Sequence, residues 1–259
     1  MALQYRGLTF AAAATASIGE DDFSKDGTGV GQLWEPATGL LCDYLQAAAS
    51  SSLRGAHVLE LGAGLGAPGL LCARLGAARV TLTDYHPLVL ERLRASVLLN
   101  LGAASSAAVE RFAWGGAPPH CGAQPLLLGA DLGVSERAAE LLAAGVKACL
   151  APGGVFLYAH QERRAIVREG EGKFRREDTD SALERLVAAL RPLHCRTFYS
   201  RRVEDGLGER VLLIGFGEAA SLAGMPDWRE PSQEDLKNGN AEGWHESIAK
   251  RPRHEQEQV

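Results

Sequence analysis

The chain has few cysteines, no surplus of positive charge and no long apolar run. Its five cysteines are widely spaced and include no CxxC pair, so neither a zinc site nor a disulfide framework is predicted, and a reducing compartment is expected. The net charge of −5 argues against phosphate neutralisation, on which nucleic-acid binding usually depends. The alanine run Ala11–Ala14 is too short for a signal peptide or a membrane span. We therefore expect a soluble cytoplasmic protein that binds neither nucleic acid nor membrane, with Lys250–Arg253 resembling a short nuclear-import signal.

Short apolar runs alternate with longer amphipathic runs from Leu53 to about Gly215. This alternation is typical of an α/β sheet with helices on both faces, and two final apolar runs around a glycine-rich turn predict a terminal antiparallel hairpin. The sequence thus predicts a Rossmann-like, seven-stranded, mostly parallel sheet with strands His57–Leu61, Arg79–Thr83, Val109–Phe112, Leu126–Ala130, Val155–Tyr158, Arg196–Ser200 and Arg210–Ile214. We expect an N-terminal extension over residues 1–30, one domain over 31–218, and a polar, flexible tail over 219–259.

Helix boundaries are predicted from proline, glycine and capping residues. Pro87 opens a helix that Gly102 ends, and Ser135 is the predicted N-cap of the next long helix. Ser181 and Glu184 have the spacing of a capping box. The densely charged segment 164–180 is poor in apolar residues, and we expect it to be a mobile surface loop outside the core.

The most informative stretch is Val58–Gly69, which is followed by a strand that ends at Asp84. Its three alternating glycines let the backbone turn sharply after a buried strand and approach a ligand closely. A carboxylate at Asp84 can accept hydrogen bonds from both ribose hydroxyls of an adenosine. This pattern fits a nicotinamide dinucleotide as well as S-adenosylmethionine. Glu60 favours S-adenosylmethionine, because a carboxylate at this position would repel the pyrophosphate of a dinucleotide but suit a cationic methyl donor.

Several separated motifs follow one another along the chain: Trp34, Val58–Gly64, Thr83–Asp84, Asn100, Ala113–Gly115 and Leu128–Asp131. In this order they resemble the seven-β-strand protein-lysine methyltransferases, the group that contains the calmodulin-lysine and valosin-containing-protein-lysine enzymes. The resemblance extends from about Gly31 to Gly215, and an ordered set of motifs is far more specific than any one of them.

The resemblance implies S-adenosylmethionine as the cofactor and a lysine of a protein substrate as the methyl acceptor. It implies a catalytic role for Asp131, which could orient the amine or its departing proton. The residues it implies for the cofactor are Trp34 closing the site, Gly62, Ala63 and Gly64 at the methionine portion, Asp84 at the ribose, Trp114 beside the adenine and Ala130 near the transferred methyl. No metal is expected, since in-line methyl transfer requires none.

The sequence departs from the family at Val134, where family members carry an aromatic residue three positions after an acidic one. In the family that region frames the substrate lysine, so a methyltransferase-like binding protein without catalysis stays open. A nicotinamide-linked oxidoreductase is the other alternative, because the glycine turn fits both cofactors. Four residues after the fifth strand could contact substrate or simply lie at the surface: Tyr158, His160, Glu162 and Arg163.

Overall fold

A seven-stranded sheet forms the centre of the fold. The computed structural model describes residues 2–11, 35–47, 50–103, 105–170, 172–203 and 210–227. Its strands are β1 (Ala2–Tyr5), β2 (Leu8–Ala11), β3 (His57–Glu60), β4 (Arg79–Asp84), β5 (Ala107–Arg111), β6 (Gln124–Ala130), β7 (Leu150–Gln161), β8 (Ile166–Gly170), β9 (Lys173–Arg176), β10 (His194–Arg202) and β11 (Arg210–Gly217). The central sheet has the order β10-β11-β7-β6-β3-β4-β5. Strands β3 to β7 pair in parallel and β11 is antiparallel to both of its neighbours, which confirms the predicted sheet.

The helices begin and end largely where the sequence signals predict. They are α1 (Glu35–Ala47), α2 (Ser50–Leu53), α3 (Ala67–Arg74), α4 (Pro87–Leu101), α5 (Glu136–Cys149), α6 (Ser181–Ala189) and α7 (Ala219–Ala223). Pro87 opens α4 and Gly102 ends it, and the Ser135 side chain accepts a hydrogen bond from the Ala138 N–H as the N-cap of α5. The predicted capping box is wrong by one residue, because Asp180 is the N-cap of α6. Asp and Ser are equally good N-caps, so the local sequence does not choose between them.

Side chains alternate along β7 between two hydrophobic cores on opposite faces of the sheet. Val155, Leu157 and Ala159 join the core beneath α1, α3 and α4, whereas Phe156 and Tyr158 join the core beneath α5 and α6. This alternation is what a strand covered by helices on both faces requires. The side chain of His160, two residues beyond Tyr158, therefore points into the α5–α6 core.

An N-terminal hairpin of β1 and β2 packs against α4, within the segment predicted as an extension. Leu8 and Phe10 are buried in the core. Asn100 of α4 clamps the backbone of Thr9: its Oδ1 accepts from the Thr9 N–H at 2.8 Å, and its Nδ2 donates to the Thr9 carbonyl at 2.6 Å. Arg6 adds an ion pair with Asp43 of α1. The hairpin is thus fastened to the domain by side chains about 40 and 90 residues away along the chain.

Two segments differ from the sequence prediction in their local structure. The expected loop 164–180 contains a hairpin of β8 and β9, with Ile166 and Phe174 exposed. The hairpin lies outside the core as expected, but its backbone is regular, and Asp180 at the end of the segment is buried. The predicted tail begins with α7. Leu222 of this helix is buried, and the Leu222 carbonyl accepts a hydrogen bond from the Arg196 side chain. Within the described ranges, no helix has the length and apolar character needed to cross a membrane.

Candidate functional site

The turn between β3 and α3 presents backbone at the carboxyl edge of the sheet. Gly62 and Gly64 both have φ of +54° and Gly66 has φ of +80°, a left-handed conformation that glycine adopts without strain. The Ala63 N–H donates to the Thr83 carbonyl at 2.8 Å, which fixes the turn against the end of β4. The three glycines therefore allow a turn that a residue with a Cβ would adopt only under strain.

Asp84 ends β4 and lies beside the glycine turn. Its Oδ2 accepts from the Gly64 N–H at 3.2 Å and its Oδ1 from the His86 N–H at 3.0 Å. Burial raises the pKa of Asp84 above its usual value, although the hydrogen bonds from His86, Gly64 and Tyr85 oppose this rise. A carboxylate has about four lone-pair sites, so an acceptor remains for a ribose hydroxyl. Next to it, the buried His86 Nδ1 has no hydrogen-bond partner among the described residues, and a bound ligand could supply one.

Glu60 lies behind the glycine turn, on the α3 face of the sheet. It is 3% exposed, and its Oε2 accepts a hydrogen bond from the Gly69 N–H in the first turn of α3 at 2.9 Å. Burial raises the pKa of Glu60 to about 8, with the Gly69 hydrogen bond opposing the rise and the Asp84 charge adding to it. The charged carboxylate expected from the sequence is mostly protonated at pH 7, until a nearby cation favours its ionisation.

The segment after β6 packs directly onto the glycine turn. A Cβ placed on Gly62 would lie 2.6 Å from Leu132 Cδ2 and 3.2 Å from Trp114 Cζ2. Trp114 also contacts α5, since a Cβ on Gly145 would lie 3.1 Å from its Cδ1. Ala130, half-buried at the end of β6, pairs with β7 and brings the following residues to the same edge. Only glycine at position 62 leaves room for both neighbours.

Asp131 is held in an ion pair with Arg163. The guanidinium donates to both carboxylate oxygens of Asp131, at 2.7 Å and 2.5 Å, and the Asp131 side chain is 1% exposed against 33% for Arg163. Asp131 also has φ of +56°, which a non-glycine residue adopts only when its surroundings hold it there. Arg163 therefore covers the carboxylate and is itself the group that meets solvent.

The structure brings most of the predicted site residues to one edge of the sheet. Trp34 lies outside the described residues, so its predicted role stays a prediction. The part that sequence reasoning missed is the pairing of Arg163 with Asp131, and the only signal for it was an arginine shortly after the fifth strand. Tyr158 and His160 are each 1% exposed, so they do not reach a substrate. The described ranges contain no cluster of three or more metal-ligating side chains. The residues at this edge are Glu60, Gly62, Ala63, Gly64, Asp84, Trp114, Ala130 and Asp131.

A comparison with protein families matches residues 17–177, more than half of the chain, to a family described as lysine methyltransferase. The chain belongs to this lysine methyltransferase family. Mouse "EEF1A lysine methyltransferase 3" is 34% identical over 134 residues, covering 51% of this chain and 56% of that protein. "Protein N-terminal and lysine N-methyltransferase EFM7" of Yarrowia lipolytica is 28% identical over 183 residues, covering 59% and 64%. The chain thus spans less than two thirds of the length of either relative.

A solved structure shares the fold of this lysine methyltransferase family member. It is the Burkholderia thailandensis 1,6-didemethyltoxoflavin-N1-methyltransferase with bound S-adenosylhomocysteine, with a TM-score of 0.50, 20% identity, and coverage of 71% of this chain and 79% of that one. At this identity the likeness concerns the fold alone.

Family membership decides between the two cofactors that the glycine turn left open: the cofactor is S-adenosylmethionine. The site fits this group. The glycine turn brings backbone beside Asp84, which has an acceptor for a ribose, and the unsatisfied His86 Nδ1 is adjacent. Glu60 behind the turn is a carboxyl that a cationic ligand would ionise.

Proposed function

We propose that the protein is a lysine N-methyltransferase that transfers a methyl group from S-adenosylmethionine to the ε-amine of a lysine in another protein. The match of residues 17–177 to the lysine methyltransferase family carries this proposal. The site adds support, because the glycine turn and Asp84 lie at the same sheet edge as the Asp131–Arg163 pair. A cofactor bound at the glycine turn and Asp84 would place its methyl group toward the Asp131–Arg163 pair.

The charges at this edge suit an amine nucleophile. S-adenosylmethionine supplies an electrophilic methyl group on a positively charged sulfur. A lysine attacks only as the neutral amine, which costs about 4 to 5 kcal/mol at pH 7 from its ordinary pKa. Arg163 is one-third exposed beside Asp131 and disfavours a second cation next to it, so it lowers the pKa of an incoming amine. The amine loses its proton to solvent before transfer, and Asp131 fixes the guanidinium in place.

A ligand titration tests the cofactor site. Thermal unfolding of the purified protein should shift to higher temperature with increasing S-adenosylhomocysteine and stay unchanged with NAD, because only a ligand that binds the folded state stabilises it. A shift with NAD alone would contradict the proposal.

A transfer assay tests the catalytic part of the proposal. Elongation factor 1A is the first acceptor to try, since it is named in the mouse relative, and a cell lysate is the second. With methyl-labelled S-adenosylmethionine we expect label on a lysine ε-amine, located by peptide mass spectrometry. Saturable binding of S-adenosylhomocysteine with no transfer to any protein would instead support the alternative of a binding protein, which the valine at position 134 favours.

The same spectra decide which amine is methylated. The Yarrowia lipolytica relative is named for both protein N-terminal and lysine methylation. An N-terminal amine has a lower ordinary pKa than a lysine, near 8, so it requires less help to become neutral. We propose lysine, because the matching family is described by lysine alone. Label found only on N-terminal amines would overturn that assignment but not the methyltransferase activity.

We also propose that the protein acts in the cytoplasm, with the nucleus as a second location. Within the described ranges no two cysteines form a disulfide, which suits a reducing compartment. Fluorescence microscopy of the tagged full chain tests this, and a secreted or luminal signal would contradict it.

A further inference from the structure

A buried polar network lies beneath the Asp131 turn, on the α5–α6 face of β7. The Tyr158 hydroxyl and His160 Nδ1 are 2.9 Å apart, and His160 Nε2 and Asp180 Oδ2 are also 2.9 Å apart. The side chains of His160 and Asp180 are 1% and 4% exposed. Such groups lose their hydration on folding, so they are retained only where each finds a partner. The mechanism proposed above uses none of the three.

The hydrogens of this network can be assigned from its end groups. The Tyr158 hydroxyl donates to the Leu132 carbonyl, which can only accept. His160 Nδ1 forms the second contact of the same hydroxyl. At the other end, Asp180 accepts from the backbone N–H groups of Arg163 and Leu183, at 2.6 Å and 3.0 Å.

Asp180 behaves as an ionised acceptor. Burial alone would raise the pKa of Asp180, but hydrogen bonds from His160, Arg163 and Leu183 outweigh it, and the pKa is lowered. An ionised carboxylate requires a donor at His160 Nε2. His160 Nε2 is therefore the donor in its hydrogen bond to Asp180.

The network closes into a ring around the Asp131 turn. Arg163 donates from its backbone to Asp180 and from its guanidinium to Asp131. Leu132 follows Asp131 directly, and its carbonyl is held by Tyr158. The turn is therefore held from two sides, through a side chain at Asp131 and through the backbone at Leu132.

We propose that Tyr158, His160 and Asp180 are positioning residues, which hold the turn from Asp131 to Gly133 and the guanidinium of Arg163 in the geometry that methyl transfer requires. The inference deepens the proposed function and rests on it. The turn contacts Gly62 through the Leu132 side chain, so a shift of the turn moves the acceptor side relative to the cofactor side. Transfer depends steeply on that alignment, whereas cofactor binding does not.

Tyr158→Phe removes only the hydroxyl, and the chain offers a matched control. Tyr44 is also fully buried, and its hydroxyl donates to a backbone carbonyl, that of Pro226, at 3.0 Å. Tyr44→Phe therefore removes the same kind of hydrogen bond in the other hydrophobic core, on the opposite face of the sheet from Tyr158. We expect Tyr158→Phe to lower kcat for transfer to elongation factor 1A by at least about tenfold, with the Kd for S-adenosylhomocysteine changed by less than about twofold. Tyr44→Phe should leave kcat within about twofold.

Hydrogen exchange measured by mass spectrometry gives a readout that needs no substrate. Amides in residues 129–135 should exchange at least about tenfold faster in Tyr158→Phe and unchanged in Tyr44→Phe. Asp180→Asn is the second variant: asparagine keeps the N-cap of α6 but removes the charge that pairs with His160. It should show the same exchange and the same loss of kcat.

The outcomes separate this inference from the proposed function. If exchange of residues 129–135 is unchanged in both variants, or if Tyr44→Phe lowers kcat as much as Tyr158→Phe, the three residues have a general structural role and the inference is overturned. If the native protein binds S-adenosylhomocysteine but methylates nothing, the proposed function fails, and the exchange result alone decides whether the network holds the turn.

Discussion

Replacing Glu60 by glutamine should change how the stability of the protein depends on pH. Burial raises the pKa of Glu60 to about 8 in the folded chain, against 4.5 when exposed. The folded state therefore binds one more proton than the unfolded state between these two values, so stability falls as pH rises through this window. Glutamine cannot ionise, yet its carbonyl oxygen can still accept the hydrogen bond from Gly69 that Glu60 Oε2 accepts at 2.9 Å.

The size of the effect follows from the two pKa values. Each unit of pKa difference is worth about 1.4 kcal/mol, and between pH 5 and pH 9 the Glu60 contribution falls by about 4 kcal/mol. We thus expect the free energy of unfolding of Glu60→Gln to lose about 4 kcal/mol less than that of the native chain over this range. Asp84 also has a pKa raised by burial; it is present in both proteins, so it enters their difference only through its charge interaction with Glu60, the smallest of the three causes of the raised Glu60 pKa.

Urea denaturation at pH 5, 7 and 9, without cofactor, provides the measurement. Glu91→Gln is the control, because Glu91 is exposed on α4, and its curve should run parallel to that of the native chain. Parallel curves for Glu60→Gln and the native chain would refute the reasoning, since they would mean that Glu60 binds its proton equally in the folded and unfolded states.

Three further predictions concern the turn, the ribose site and the N-terminal hairpin. Gly62→Ala places a Cβ 2.6 Å from Leu132 at positive φ, and chemical denaturation should show that it lowers the free energy of unfolding by about 2 to 4 kcal/mol. Gly55→Ala is the control: it also has positive φ but meets open space, so it should lower the free energy of unfolding by only about 1 kcal/mol. Asp84→Asn should lower the affinity for S-adenosylhomocysteine at least about tenfold by titration calorimetry, and an unchanged Kd would contradict the ribose assignment. Asn100→Ala should lower the free energy of unfolding by about 2 kcal/mol and speed hydrogen exchange of the amides in residues 8–11. If these amides exchange equally slowly in the variant and the native chain, the hydrogen bonds from Asn100 to Thr9 are dispensable.

The sequence predicted the elements that depend on local patterns. The strands follow from apolar runs, and the helix bounded by Pro87 and Gly102 follows from residues that cannot continue it. The start of α6 was missed because Asp180 and Ser181 are both good N-caps. Asp180 is favoured over Ser181 by His160, which lies 20 residues away along the chain and bonds the carboxylate oxygen that the N-cap does not use. A contact of that kind exists only once β7 and α6 have packed together.

The candidate site divides in the same way. The glycine turn and Asp84 form a compact motif whose geometry is set by neighbouring strands, so the sequence places them together. The ion pair of Asp131 with Arg163 spans 32 positions and depends on how β6 and β7 end side by side. Asn100 was predicted only through a resemblance, and its observed role, fastening a hairpin 91 residues away, follows from packing that no local pattern contains.

The late position of β11 in the chain has a consequence for biosynthesis. β7 is a twelve-residue strand that lies inside the sheet only because residues 210–217 pair with its outer edge. While the ribosome is still adding residues 162–209, that edge has unpaired backbone groups next to side chains such as Phe156 and Leu157 that will later be buried. An open apolar edge recruits other chains. A message truncated between the codons for Gln161 and Arg210 should therefore yield an aggregating product rather than a smaller enzyme, even though every residue of the cofactor edge described above would already have been translated.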